Sequence, residues 1–287
     1  MHWTQRRERF RAILAGDACV YPASVFDPVS VRIAEDLGFE LGMYAGSTAS
    51  LAVLGAPDIV LLTLSEFAAQ ALRIARAAAL PFLVDADHGY GNALNVTRTV
   101  EELETAGVAG LTIEDTLLPA GFGAAGRTQL ITVEEGVGKM RAALAGRQDP
   151  SLVIVGRTSA AAIAGIEDAV RRIMAYEAAG VDAVFLAGIT AREEIAAAAA
   201  AVKCPIILGT IKPALADRAD LARLGVRVCL QGHQPFMAAV QAIHDTMKAL
   251  RDGTPADALP GLAPDALMKR VTRDARYRAA MKEFLRG

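Results

Sequence analysis

The stretch LVDADHGYGNALNVTRTVEELETAGVAGLTIED (83–115) reads in turn as strand, helix and strand. Its first strand is the end of an apolar run, 81–86, that behaves as a buried strand. NVTRTVEELETAG (95–107) then has helical spacing. Gly107 suits a helix C-cap, and the apolar residues 108–113 enter a second strand. The same glycine-to-strand signature returns in AGVDAVFLAG (179–188) and LGVRVCLQG (224–232). One such unit predicts two parallel strands joined by a helix.

Working outward, buried-strand runs fall at 19–25, 40–45, 81–86, 108–113, 152–156, 182–187, 205–209 and 226–231. Helical segments lie between them, SEFAAQALRIARAAA (65–79) and GIEDAVRRIMAYEAAG (165–180) among them. The alanine-rich run 195–202 reads as a packed helix, because alanine is the best helix former. Strands that are apolar nearly throughout predict a parallel sheet covered on both faces. Eight units of this kind close an α/β barrel of the (β/α)8 TIM type, usually within about 250 residues. An open doubly wound sheet is the alternative. The expected organisation is one domain over 1–287, with the barrel at about 11–250 and a helical tail at 251–287. The tail opens with a Pro/Gly-rich connector (252–264). One or two amphipathic helices follow, and they need a partner surface for their apolar face.

Composition excludes several classes. The 287 residues are 53% hydrophobic, with 30 basic and 32 acidic side chains and no basic stripe, so nucleic acid is not an expected partner. Cys19, Cys204 and Cys229 form no CxxC pair, which suits a reduced compartment without structural zinc. The charged opening MHWTQRRERF has no apolar signal core, and no stretch is clean enough to span a bilayer. A cytoplasmic protein is expected, with no membrane partner.

Chemistry in this fold sits at the carboxyl ends of the strands. The polar residues of this chain concentrate there: Ser47 after the second strand; Asp85, Asp87 and His88 after the third; Glu114 and Asp115 after the fourth; Arg157 and Thr158 after the fifth; Gln231 and His233 after the eighth. Asp85, Asp87 and Glu114 suit a hard divalent cation such as Mg2+. Arg157 offers a fork for a substrate carboxylate. Ser47, at a strand-to-helix turn, offers an anion cradle. Together they imply a small, anionic, chelating substrate such as an α-keto acid. Plainer roles stand beside these. Arg157 would serve equally as an ion-pair partner of Glu114, Ser47 as a helix cap, His88 as a hydrogen-bonding loop residue, and His233 as a capping or packing residue.

Read together, SVFDPVSVRIAEDLGFE (24–40), AGSTASLAVLGAPDIVLLTLSE (45–66), the 83–115 stretch and VGRTSA (155–160) resemble the isocitrate lyase and phosphoenolpyruvate mutase superfamily. The resemblance implies Asp85 as the direct Mg2+ ligand, with Asp58, Asp87 and Glu114 acting through water. Ser47 and Arg157 then bind the substrate carboxylate. Mn2+ is an alternative ion. Lyase members carry a cysteine after the fourth strand, and mutase and hydrolase members a lysine. The corresponding TLLPAGFGAAGRTQLIT (116–132) has neither, and no histidine.

TLLPA, EEGVGKMRAAL (134–144) and the Gly232-His233 pair resemble instead the oxaloacetate decarboxylase group. This implies Mg2+-dependent loss of CO2 from oxaloacetate to give pyruvate through a metal-stabilised enolate. His233 and Arg157 would take part, with His233 touching substrate. Two departures bear on substrate fit: Ser159 where many members carry aspartate, and Ile211 where a tyrosine is expected. The alternatives are a carbon–carbon or carbon–phosphorus lyase or hydrolase of the same superfamily, and a non-catalytic keto-acid-binding protein. Family members imply a homotetramer, a dimer of dimers, with the last helices exchanged between subunits. Gly121, Gly123 and Gly126 are expected hinge points in the 116–132 loop.

Overall fold

The computed structural model describes residues 3–123 and 128–285. Gly126, one of the expected hinge points, lies outside them, and Gly123 takes a φ of 79°. Eight strands form one parallel sheet in sequence order: β1 (Ala23–Ser24), β2 (Gly42–Tyr44), β3 (Phe82–Asp85), β4 (Gly110–Glu114), β5 (Val153–Thr158), β6 (Ala183–Leu186), β7 (Ile206–Leu208) and β8 (Val226–Cys229). Val20, just ahead of β1, makes a parallel bridge to Val228 of β8. Its N–H donates to the Arg227 carbonyl at 2.9 Å, and the Cys229 N–H donates back to the Val20 carbonyl at 3.1 Å. First and last strands therefore meet. A doubly wound sheet would reverse its strand order partway across, and this one does not. The fold is the expected (β/α)8 barrel.

The helices follow in chain order. They are α1 (Thr4–Ala15), α2 (Pro28–Asp36), α3 (Gly46–Ala49), α4 (Leu64–Ala77), α5 (Ala93–Ala106), α6 (Val133–Gly146), α7 (Ala160–Ile163), α8 (Ile166–Ala179), α9 (Arg192–Ala201) and α10 (Arg218–Arg223). Reciprocal capping boxes start α4 at Thr63 with Glu66 and α5 at Asn92 with Asn95. Gly107 and Gly180 end α5 and α8 in the left-handed region, at φ 88° and 101°, where a side chain is costly.

Side chains alternate across each strand. Phe82 and Val84 face outward into the layer beneath the helices, while Leu83 faces the barrel interior. Ile154 and Val184 face outward; Val153, Val155 and Phe185 face inward. That period places Asp85, Thr112, Glu114 and Arg157 on the interior face, at its carboxyl end. The amino end is closed by α1, whose Phe10 is fully buried within the interior cluster. Arg6 and Arg7 of the same helix are buried too. Arg6 donates to the Ala75 and Gly107 carbonyls, and Arg7 to those of Glu104 and Val108, so carbonyls left over at helix ends are satisfied.

The chain divides into two compact units, one ending at Gly232 and one beginning at His233. The second holds α11 (Gln234–Arg251), α12 (Asp265–Thr272) and α13 (Asp274–Phe284), with Arg273 at φ 60° breaking α12 from α13. Thus α11 groups with the tail. It carries an exposed stripe, Met237, Val240, Ile243 and Met247, at helical spacing.

Candidate active site

Strands β3, β4 and β5 build the site, and their register decides who meets whom. Asp85 pairs with Thr112, Glu114 with Arg157, and Arg157 with Phe185. Each pairing becomes a contact. The Thr112 hydroxyl donates to Asp85 Oδ1 at 3.0 Å. The Arg157 guanidinium reaches Glu114 Oε2 through Nη2 at 3.1 Å and grips Asp85 Oδ2 through Nη1. It lies over the Phe185 ring, 5.3 Å from the centroid. Arg157 Nε is buried without a partner.

Asp87 follows β3 in a left-handed conformation, φ 47°. Its N–H points to Asp85 Oδ1 at 3.3 Å, and its carbonyl accepts from the Glu114 N–H at 2.8 Å. A Cβ on Gly46 would stand 2.8 Å from Asp87 Oδ1, so the start of α3 lies directly against this carboxylate. Ser47 is the next residue, half-buried in the first turn of that helix. Asp58 is exposed, and its charge bears on Asp87.

Carboxylates outnumber cations here. Desolvation, then Asp85, Glu114 and Asp58, push the Asp87 carboxyl well above its ordinary range, with Arg157 opposing. Burial raises Glu114 to about 7 although Arg157 pulls it down. Burial works against the charge on Arg157, but Asp85 and Glu114 outweigh it and hold the guanidinium protonated. A hard cation would supply the missing positive charge, and the donors are all oxygen, as Mg2+ prefers. Among the described residues no three His, Cys, Asp or Glu side chains converge on one point. One direct ligand with the others acting through water does not require that they do.

Of the expected residues, Asp85, Asp87, Glu114 and Arg157 come together, with Asp58 within electrostatic reach and Ser47 next to the glycine that abuts Asp87. His233 belongs to the second unit, at the N-cap of α11. His88 is buried, and burial followed by the Lys139 charge lowers its pKa to about 4.

Several residues of the site were not singled out from the sequence. Thr112 was legible, because it lies two positions before Glu114 and so shares its face. Tyr90 stands inside the DADHGYGN motif with a buried, unpartnered hydroxyl and a φ of 59°. Lys139 of α6 donates through Nζ to the His88 carbonyl at 2.8 Å. No local signal announces Lys139, since its partner is far away in the chain.

The phosphoenolpyruvate phosphomutase family profile matches residues 10–251. A curated relative from Bradyrhizobium diazoefficiens named oxaloacetate decarboxylase is 62% identical over 285 residues, 99% of each chain. One of the same name from Rhodopseudomonas palustris is 59% identical, again over 99% of each chain. Among solved structures, phosphonopyruvate hydrolase in complex with oxalate and Mg2+ superposes with a TM-score of 0.85 at 30% identity, covering 98% of this chain and 99% of the other. Oxaloacetate acetylhydrolase in complex with 3,3-difluorooxalacetate superposes at 0.84 and 28% identity, covering 95% of each.

Proposed function

The chain belongs to the phosphoenolpyruvate phosphomutase family, and from that premise we propose that it is a carboxy-lyase that decarboxylates oxaloacetate to pyruvate and CO2 with Mg2+. One observation carries the reading: an all-oxygen acidic cluster with a single arginine, at the carboxyl ends of β3–β5, in a chain 56–62% identical over nearly its whole length to relatives named for this reaction.

The proposed assignment makes Asp85 the direct ligand of Mg2+ (or Mn2+), with Asp58, Asp87 and Glu114 holding its waters. Bound there, the ion supplies a Lewis acid for the negative charge that develops on the keto oxygen. The chain's own residues do the rest. Arg157, fixed between Asp85, Glu114 and Phe185, presents its remaining donors to the C1 carboxylate of the keto acid. Ser47 binds the same end from the first turn of α3. With C1 fixed, the C3–C4 bond breaks, CO2 departs, and its electron pair passes into the C2–C3 unit. A proton delivered to C3 then completes pyruvate. His233 is the residue proposed to touch the C4 carboxylate or relay that proton. TLLPAGFGAAGRTQLIT (116–132) lacks both the acid–base cysteine of the lyase branch and the lysine of the mutase and hydrolase branches, which argues against those competing reactions.

We further propose that residues 1–287 act as one domain, with the barrel at about 11–250 and the tail at 251–287. In this reading the protein is a cytoplasmic homotetramer, a dimer of dimers, with its last helices exchanged. No helix among the described residues is long and apolar enough to cross a membrane, and α11 offers an apolar stripe for a partner surface.

Pyruvate formation from oxaloacetate tests the activity, set against a control with the same free Mg2+ and no protein. We expect protein-dependent pyruvate that disappears with chelator and in Asp85→Ala. A rate no higher than the metal control, with oxalate still binding only when Mg2+ is present, would retain the site and discard this substrate.

A further inference from the structure

Asp115 is fully buried, immediately after Glu114, and faces away from the barrel interior. Its Oδ2 accepts from Arg172 Nη1 at 3.0 Å and from the Tyr176 hydroxyl at 2.7 Å, both on α8. The same Arg172 Nη1 donates to the Ile131 carbonyl at 3.0 Å, and Arg172 Nε is held by Asp168 Oδ2 at 2.6 Å. Ile131 closes the circuit, its N–H donating to the Asp115 carbonyl at 2.9 Å. Beside it the Leu117 N–H donates to the Gln129 carbonyl at 2.8 Å, and Thr116 bridges Leu130 antiparallel. The two described ends of the connection after β4 are thus tied to each other and to α8.

Tyr176 reaches Asp115 through space that two glycines leave open. A Cβ on Gly136 would stand 2.5 Å from its hydroxyl, and one on Gly156 would stand 3.0 Å from its own Cβ. Gly156 directly precedes Arg157. One face of α8 therefore bears on the residue after Glu114 and on the residue before Arg157.

A buried ion pair is costly to desolvate, and apolar packing would serve stability as well or better. Its use here calls for a geometric reason. We propose that Arg172 and Tyr176 are positioning residues of the active site: through Asp115, Ile131 and Gly156 they set the placement of Glu114, Arg157 and the base of the connection after β4. Neither touches substrate. The activity readout rests on the metal-dependent reading above; the structural readout does not.

The test compares the full chain with Tyr176→Phe, which removes only the hydroxyl, and with Arg172→Met. Three quantities are read: the thermal unfolding midpoint, Mg2+-dependent oxalate binding by calorimetry, and amide hydrogen exchange. We expect both variants to unfold cooperatively. The Leu117 and Ile131 amides should exchange faster while those of β6 and β7 do not, and oxalate with Mg2+ should bind between about 10- and 100-fold more weakly, the usual scale for residues that support a metal site from outside it. Unchanged exchange at Leu117 and Ile131 overturns the proposal. So does unchanged oxalate binding accompanied only by a lower midpoint, since that is a purely structural role. If the unmodified chain binds no oxalate with Mg2+, the metal reading falls, and exchange at these two amides alone decides the tether. Should Arg172→Met fail to fold, Tyr176→Phe decides.

Discussion

At the scale of single residues, the site is a matter of side-chain parity. Asp85, Thr112, Glu114 and Arg157 reach one another because each occupies an inward position of its strand and the register sets them side by side. Strain collects here as well. Asp87, Tyr90 and Val60 take left-handed conformations in the segments around the acidic cluster, which is where strained backbone is usually tolerated for function. Gly46 gives a direct test of how tightly the cluster is packed. A methyl there would meet Asp87 Oδ1 at 2.8 Å and its second oxygen at 3.1 Å, so the carboxylate must move. We expect Gly46→Ala to fold with a nearly unchanged unfolding midpoint and to lose at least about 10-fold in Mg2+-dependent activity. Equal kcat/KM in variant and parent would show that Asp87 tolerates displacement. The sequence indicated that Asp85, Asp87 and Glu114 gather at one end of the sheet, because they stand at predicted strand ends. That Arg157 is shared between Asp85 and Glu114 is a tertiary fact, and it makes Arg157 the ion-pair partner of Glu114.

At the scale of elements, local signals were dependable where the chemistry is local. Gly107 and Gly180 end α5 and α8 as expected, and α4 and α5 begin within two residues of the starts expected from helical spacing. Long-range ties between elements were not legible. Asp149 is an example. It lies between α6 and β5 and accepts from Arg7 Nη1 at 2.7 Å, from the Thr4 hydroxyl at 2.9 Å, and from the Ser151 hydroxyl and N–H. Burial alone would raise its pKa, but the Ser151, Arg7 and Thr4 hydrogen bonds prevail and hold the carboxyl well below its ordinary value. Its folded-state pKa is thus depressed. The stabilisation is present above the unfolded-state value of about 4 and is lost as pH falls through the lower folded-state value. Asp149→Asn should lower stability at pH 7 by about 1.5–3 kcal/mol, the scale of hydrogen bonds to a charged group. The difference from the parent should shrink as pH drops below about 4. Urea titrations at several pH values check this, and a pH-independent difference would point to packing instead.

At the scale of the molecule, a barrel must close around its interior and stop its ends. Here the Val20–Val228 bridge joins the first and last strands, and Phe10 of α1 fills the amino end. Phe10→Ala should cost about 3–5 kcal/mol in urea unfolding, as large apolar truncations in a core do. A loss below about 1 kcal/mol would mean that α1 caps the barrel without supporting it. The eight βα units, their parallel sense, the end at which polar residues gather and the acidic set at that end are all legible in the amino-acid order. All of these follow from hydrophobic period, capping chemistry and strand alternation, which act over a few residues. Contacts between distant elements close the sheet through Val20, set Arg157 between two carboxylates, and bring Lys139 to His88 and Arg172 and Tyr176 to Asp115. Those contacts join residues up to about two hundred positions apart. Register and packing between elements create them, and neither is written in any local stretch of the chain.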